Sequence, residues 1–174
     1  GTITKTFETV THRFPMLSLD NTYSQQELRE FDERVKKGLA GQPTEYVCEL
    51  KFDGISLSIR YQNGVLVRGV TRGDGTQGDD ITANIKTIRS LPLRLEGADL
   101  PVDFEVRAEG YMPYSSFEQL NRGLQERGES TLANPRNAAS GSFKMQDSSE
   151  VARRKLDALV YGFLSEEAPF ETHS

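Results

Sequence analysis

No run of about 18 apolar residues occurs in this sequence, which excludes a membrane-spanning helix and leaves no membrane partner to expect. No charged-then-apolar leader opens it either, so the expectation is a cytoplasmic protein. Cysteine is almost absent. The single Cys48 admits no internal disulfide, in keeping with a reducing compartment. It lies in the apolar run Tyr46-Val47-Cys48 with no histidine near it in sequence, so it reads as a small buried hydrophobe rather than a nucleophile. The two histidines, His12 and His173, have no ligand spacing, and a zinc site is not expected. Positive charge is also short: a net charge of −5 argues against a protein that grips nucleic acid over its whole surface. It leaves room for a local basic face, for which Arg60, Arg68, Arg72 and the run Arg153-Arg154-Lys155 are candidates.

What is present is ordinary for a globular protein. With 174 residues, 36% of them apolar and 27% charged, the chain has enough apolar surface for one domain around one core. Residues 1–21 are irregular. Ser24 and Glu27 then form an S-x-x-E capping box ahead of Leu28, Phe31, Val35 and Leu39, which recur on one helical face. Gly38 and Gly41-Gln42-Pro43 end that helix. Residues 46–50 read as a short apolar strand. Residues 55–61 alternate at period two, and residues 65–71 form another strand. Asn63-Gly64 between these two runs signals a hairpin. Asp79 or Asp80 caps a helix over 81–89, with Ile81, Ile85 and Ile88 inward. A strand over 102–112 precedes a helix over 114–127 that carries Phe117, Leu120 and Leu124 and ends at Gly128. A tight helix over 134–144 and a final strand over 156–164 complete the order, which is that of an α+β fold.

Four segments carry residues suited to chemistry, and each also has a plain structural reading. Lys51-Phe52-Asp53-Gly54 places an amine at a predicted strand end beside a glycine, where a phosphate can approach. A free lysine amine, with a pKa of about 10.4, is protonated at neutral pH, so a nucleophilic role needs burial or neighbouring cations. The same four residues also describe a surface lysine before a turn. The loop over 71–80, with three glycines and three aspartates, exposes backbone N–H groups that can hold phosphate or ribose oxygens. It also reads as a connection whose aspartates cap a helix. It is neither a P-loop nor a dinucleotide fingerprint. Glu105, Arg107 and Glu109 share one pleat face, either as a ligand site or as the exposed face of an edge strand. Arg136, between Asn134 and Asn137 at a predicted helix start, can hold an anion, although capping alone explains the asparagines.

In order, Pro15-Met16-Leu17-Ser18-Leu19-Asp20-Asn21, Lys51-Phe52-Asp53-Gly54, Thr71-Arg72-Gly73-Asp74-Gly75, Ile81-Thr82-Ala83-Asn84, Val106-Arg107-Ala108-Glu109 and Asn134-Pro135-Arg136-Asn137-Ala138-Ala139 closely resemble the bacterial NAD-dependent DNA ligases, over nearly the whole chain. The resemblance implies an adenylation (nucleotidyltransferase) core of antiparallel sheets flanked by helices, akin to the ATP-grasp-like core of DNA ligases and capping enzymes. It implies NAD as AMP donor, with magnesium assisting and nicked double-stranded DNA as the partner in replication and repair. No obligate protein partner is implied. Lys51 becomes the nucleophile that takes AMP from NAD. By that resemblance Glu49 and Ser18-Leu19 would contact the adenine side of the nucleotide, and Arg72 and Glu109 would hold its ribose. Glu109 is a candidate magnesium ligand. The resemblance likewise implies that Asp53 would support the site near Lys51 and that Arg136 and Lys144 would approach phosphate.

Two positions depart from the family pattern: Lys144 stands where arginine is common, and Ala108 where glycine is usual. The expectation for residues 1–174 is a truncated adenylation core. It lacks the segment that grips the nicotinamide mononucleotide half of NAD, and it lacks the later adenylation motifs. Zinc belongs only to a further C-terminal part of the family. Such a piece is expected not to seal nicks by itself. The alternatives are an ATP- or GTP-dependent nucleotidyltransferase and a non-catalytic nucleic-acid-binding module.

Overall fold

A computed structural model describes residues 6–97 and 100–166. They fall into two compact units. One joins the described residues up to Met16 with those from Phe52 onward, and the other spans Leu17–Lys51.

In the larger unit, β1 (Thr9–Thr11), β2 (Ile55–Gln62), β3 (Val65–Thr71), β4 (Gln77–Asp79), β5 (Asp103–Tyr111) and β6 (Asp157–Ser165) form two antiparallel sheets. The larger sheet runs in the order β3-β2-β5-β6, and β1 pairs with β4 in the smaller one. The hairpin between β2 and β3 turns at Asn63 and Gly64, whose φ angles of 49° and 73° are the left-handed values of a type I′ turn. Period-two alternation then sorts the side chains. Leu57, Ile59, Tyr61, Phe104 and Ala108 face the core. On the other face Ser56, Ser58 and Arg60 stand opposite Glu109, Arg107 and Glu105. β5 is a central strand, and Glu105 and Arg107 are 5% and 7% exposed, so they are not the solvated face of an edge.

Against the apolar face pack α2 (Thr82–Ile85), α3 (Tyr114–Glu126), α4 (Pro135–Phe143) and α5 (Ser148–Arg153), with Ile81, Ile85, Ile88, Phe117, Phe143 and Val151 in the core. Asn134 caps α4 by accepting from the Asn137 N–H at 2.8 Å, with Pro135 inside the first turn. Gly128, at φ 68°, ends α3 as expected.

The structure departs from the sequence expectation at several points. The helix expected over 81–89 has only the four residues of α2. Beyond it the backbone turns by i→i−3 bonds, from Ile88 to Ile85 and from Leu91 to Ile88. A repeat of three keeps Ile85, Ile88 and Leu91 buried on one side without a regular α-helix. Ile81, not an aspartate, stands at the N-cap of α2 and gives no side-chain cap, while Asp80 just ahead accepts from the Thr82 N–H at 3.0 Å. The irregular first stretch contains β1, and the loop over 71–80 contains β4. A helix, α5, follows Asp147, whose carboxylate accepts from the Ser149 N–H at 2.8 Å. Gly73, Gly75 and Gly78 match the letters of G-x-G-x-x-G, but the first two lead into β4 and Gly78 lies within it, so the motif does not open a helix.

In the Leu17–Lys51 unit, α1 (Gln25–Gly38) begins with the expected capping box, Ser24 with Glu27. Its apolar stripe is only partly covered: Val35 is half-buried and the Phe31 ring meets Tyr46, but Leu28, Phe31 and Leu39 are exposed. Residues 46–50 are not a strand, since no neighbouring strand pairs with their backbone. Cys48 is exposed rather than buried.

Candidate active site

β2 begins directly after Lys51-Phe52-Asp53-Gly54, and its first turn of register sets Ser56 opposite Glu109 on β5. Both ends of that carboxylate are held. Glu109 Oε1 accepts from the Gly54 N–H at 3.1 Å, and Oε2 accepts from the Ser56 hydroxyl at 3.1 Å. Gly54 has no room for a side chain, because a Cβ there would lie 2.0 Å from the Gly110 carbonyl oxygen. The glycine of the lysine motif therefore lets β2 lie against β5 closely enough for its N–H to reach Glu109.

Along the same face the polar groups continue inward. Ser58 donates to Glu105 at 2.8 Å, and Arg107 meets Glu105 at 3.2 Å. Arg107 also donates to the Phe14 carbonyl at 2.6 Å, which ties the N-terminal segment to the sheet. At the far end, Asp103 sits between Arg60 and Arg13. Its hydrogen bond with Arg60, and then that with Gln62, hold its pKa at about 2.

Helix α4 carries a cation at each end. Arg136 pairs with Asp53 at 3.3 Å and Lys144 with Asp79 at 3.2 Å. Eight residues of helix separate the two by about 12 Å along the axis. Both pairs are exposed, so each contributes at most about 1 kcal/mol and is easily exchanged for another anion.

The loop after β3 is held by its own atoms. The Arg72 N–H donates to the Ser56 carbonyl at 3.0 Å, and His12 Nε2 donates to the Arg72 carbonyl at 2.9 Å. Asp74 accepts from the N–H groups of Gln77 and Thr76, each at 2.8 Å, and these bonds lower its pKa. Two N–H groups suited to a phosphate are thus already filled by an aspartate.

Of the sequence-predicted site residues, Asp53, Arg72, Glu109, Arg136 and Lys144 lie in the larger unit. Asp53 joins Arg136, while Glu109 and Arg72 are linked through Ser56. Ser18, Leu19, Glu49 and Lys51 are exposed residues of the other unit, outside its helix. Sequence reasoning missed Ser56 as a partner of Glu109 and Asp79 as a partner of Lys144. Strand register was the signal for the first; nothing local pointed to the second. Among the described residues no three of His, Cys, Asp and Glu gather as a metal site.

The profile of the NAD-dependent DNA ligase adenylation domain matches residues 4–174. Among curated proteins, the chain is 55% identical over 174 residues to a "DNA ligase" of Cytophaga hutchinsonii, covering all of this chain and 26% of that protein. It is 54% identical over 173 residues to a "DNA ligase" of Flavobacterium psychrophilum, covering 99% of this chain and 26% of that protein. A "DNA ligase" of Parabacteroides distasonis is 54% identical over 171 residues. The chain thus spans about a quarter of the length of these relatives. With its motifs in order and its profile match running almost end to end, the chain belongs to the NAD-dependent DNA ligase adenylation domain family.

Proposed function

We propose that this chain is the nucleotidyltransferase core of a bacterial DNA ligase, in the wider class of ATP-grasp-like ligase and capping-enzyme cores. Lys51 is its nucleophile and NAD its AMP donor. The observation that supports this best is the Gly54 N–H on Glu109. It joins the lysine motif to the carboxylate assigned to the ribose.

In the first step the Lys51 amine attacks the α-phosphorus of NAD. A P–N bond forms, the P–O bond to nicotinamide mononucleotide breaks, and the amine's proton is lost to solvent. A 5′-phosphate oxygen at a DNA nick then takes the AMP, and the P–N bond breaks as Lys51 regains a proton. Last, the 3′-hydroxyl attacks that 5′-phosphorus and AMP leaves. Such transfers depend on positioning and on countering phosphate charge. Ser18, Leu19 and Glu49 receive the adenine side; Arg72 and Glu109 receive the ribose. Arg136 and Lys144 supply positive charge to phosphate, and Asp53 supports the site beside the lysine motif.

Among the described residues no three of His, Cys, Asp and Glu gather as a metal cage around Glu109. Magnesium, when bound, would counter charge on the nucleotide's phosphates. A cytoplasmic protein acting in replication and repair is the corresponding setting. By itself the chain is expected to seal no nicks.

Intact-mass measurement tests the reading, using the full-length product of the gene that encodes this chain, with magnesium and either NAD or ATP. The expected result is a gain of one AMP from NAD, none from ATP, and none in Lys51→Ala. A gain from ATP alone overturns the choice of donor. No gain from either leaves a non-catalytic module.

A further inference from the structure

Ser56 touches both residues assigned to the ribose. Its hydroxyl donates to Glu109 Oε2 at 3.1 Å, and its carbonyl accepts the Arg72 N–H at 3.0 Å. The strand register fixes this, since Ser56 stands directly opposite Glu109. A carboxylate has about four lone-pair directions. The Gly54 N–H and the Ser56 hydroxyl take one on each oxygen, so the plane of the carboxylate is set and the remaining directions are left for a ligand.

We propose that Ser56 is a positioning residue for adenylate transfer, orienting the Glu109 carboxylate to accept from a ribose hydroxyl on the AMP half of NAD. This rests on the reading of Glu109 as the ribose-binding residue given above. Without the hydroxyl, only the Gly54 N–H holds Glu109, on one oxygen, and the carboxylate is free to rotate about its last torsion. Threonine keeps the hydroxyl and suits a strand, so it is the conservative replacement.

The test measures enzyme–AMP formation by the full-length gene product against NAD concentration. The variants are Ser56→Ala, Ser56→Thr, Glu109→Ala and the Ser56→Ala/Glu109→Ala double variant. Each is also run with NAD lacking one hydroxyl, the 2′ or the 3′, on its adenosine ribose. We expect Ser56→Ala to lower kcat/KM for NAD about tenfold, as for loss of a hydrogen bond to a charged group. Ser56→Thr should recover most of that loss. Ser56→Ala should cost nothing further in the Glu109→Ala background, and its penalty should shrink with one of the deoxy substrates. Full activity in Ser56→Ala beside an impaired Glu109→Ala overturns the proposal and leaves the ribose reading standing. So does an equal penalty on NAD and both deoxy forms, or additive losses in the double variant, which mark a structural role only. An unimpaired Glu109→Ala, or a wild-type protein that takes no AMP from NAD, overturns the underlying reading and this proposal together.

Discussion

Arg107 donates to the carbonyl oxygen of Phe14 at 2.6 Å, joining positions 93 apart in sequence. The guanidinium lies between that carbonyl and the Glu105 carboxylate, and Gly162 on β6 leaves room for the base of the side chain: a Cβ there would sit 3.2 Å from Arg107 Cβ. Burial pulls the Arg107 pKa down, with Glu105 opposing it. A charge this buried holds its place only because both groups are paired and hydrogen-bonded.

Removing one partner should therefore cost more than removing both. Arg107→Met leaves Glu105 buried with only the Ser58 hydroxyl, and a loss of about 3–5 kcal/mol is expected. The Arg107→Met/Glu105→Leu double variant should lose clearly less than the sum of the singles. Urea unfolding of the four proteins gives the cycle. Strict additivity would mean that the pair is not coupled.

Asp103 makes a pH-dependent contribution. Its hydrogen bond with Arg60 lowers its folded pKa to about 2, below its unfolded value of about 3.9. A depressed carboxylate stabilises the fold above the unfolded value, and that stability is lost as pH falls through the folded one. The window is thus about pH 4 to pH 2. Discounted for its nearness to solvent, the contribution is about 1–2 kcal/mol. The stability difference between wild type and Asp103→Asn should shrink across that window on acidification. A flat difference from pH 5 to pH 2 would refute this.

What the sequence made legible was local. The β2–β3 hairpin announced itself through Asn63-Gly64, α1 through the Ser24–Glu27 box, and α4 through Asn134-Pro135, because each signal acts within a few residues. Two missed elements, β1 and β4, depended on distant partners. β1 and β4 are three residues each and exist through pairing with one another across a long sequence gap. Conversely, residues 46–50 have strand-like composition and form no strand, because composition supplies no neighbour. The site followed the same division. Glu109 and Arg72 were legible as motif residues, whereas their common tie to Ser56 required the register of β2 against β5 and the fold of the loop after β3.

Glycine positions offer a matched comparison. A Cβ at Gly54 would meet the Gly110 carbonyl oxygen at 2.0 Å, and backbone of a central strand gives little. Gly54→Ala should cost about 1–3 kcal/mol and move the N–H off Glu109, so AMP transfer falls by more than stability alone explains. At Gly38, the last residue of α1, nothing lies within 4 Å of an added Cβ. Gly38→Ala should be neutral or stabilise by up to about 1 kcal/mol. Thermal unfolding and AMP uptake on both variants test this; equal effects at the two sites would contradict it.

The Arg136–Asp53 pair is built to be exchanged. Its members are 61% and 78% exposed at 3.3 Å, where an ion pair contributes little and is screened by salt. A phosphate offers more charge and several oxygens, so it should displace Asp53 from the guanidinium. Arg136→Ala should then change stability by less than about 1 kcal/mol. It should nonetheless weaken nicked-DNA binding by the full-length gene product and reduce the slope of log K against log salt by about 0.9, the amount for one phosphate contact. Lys144, paired with Asp79 at 3.2 Å, should behave alike on substitution by alanine. Lys144→Arg should instead tighten binding, since a guanidinium meets phosphate with two parallel bonds where an ammonium acts as a point charge. Titrations of nicked DNA at several salt concentrations separate these effects from a loss of fold. A salt slope unchanged in Arg136→Ala would place that arginine with Asp53 for structure alone.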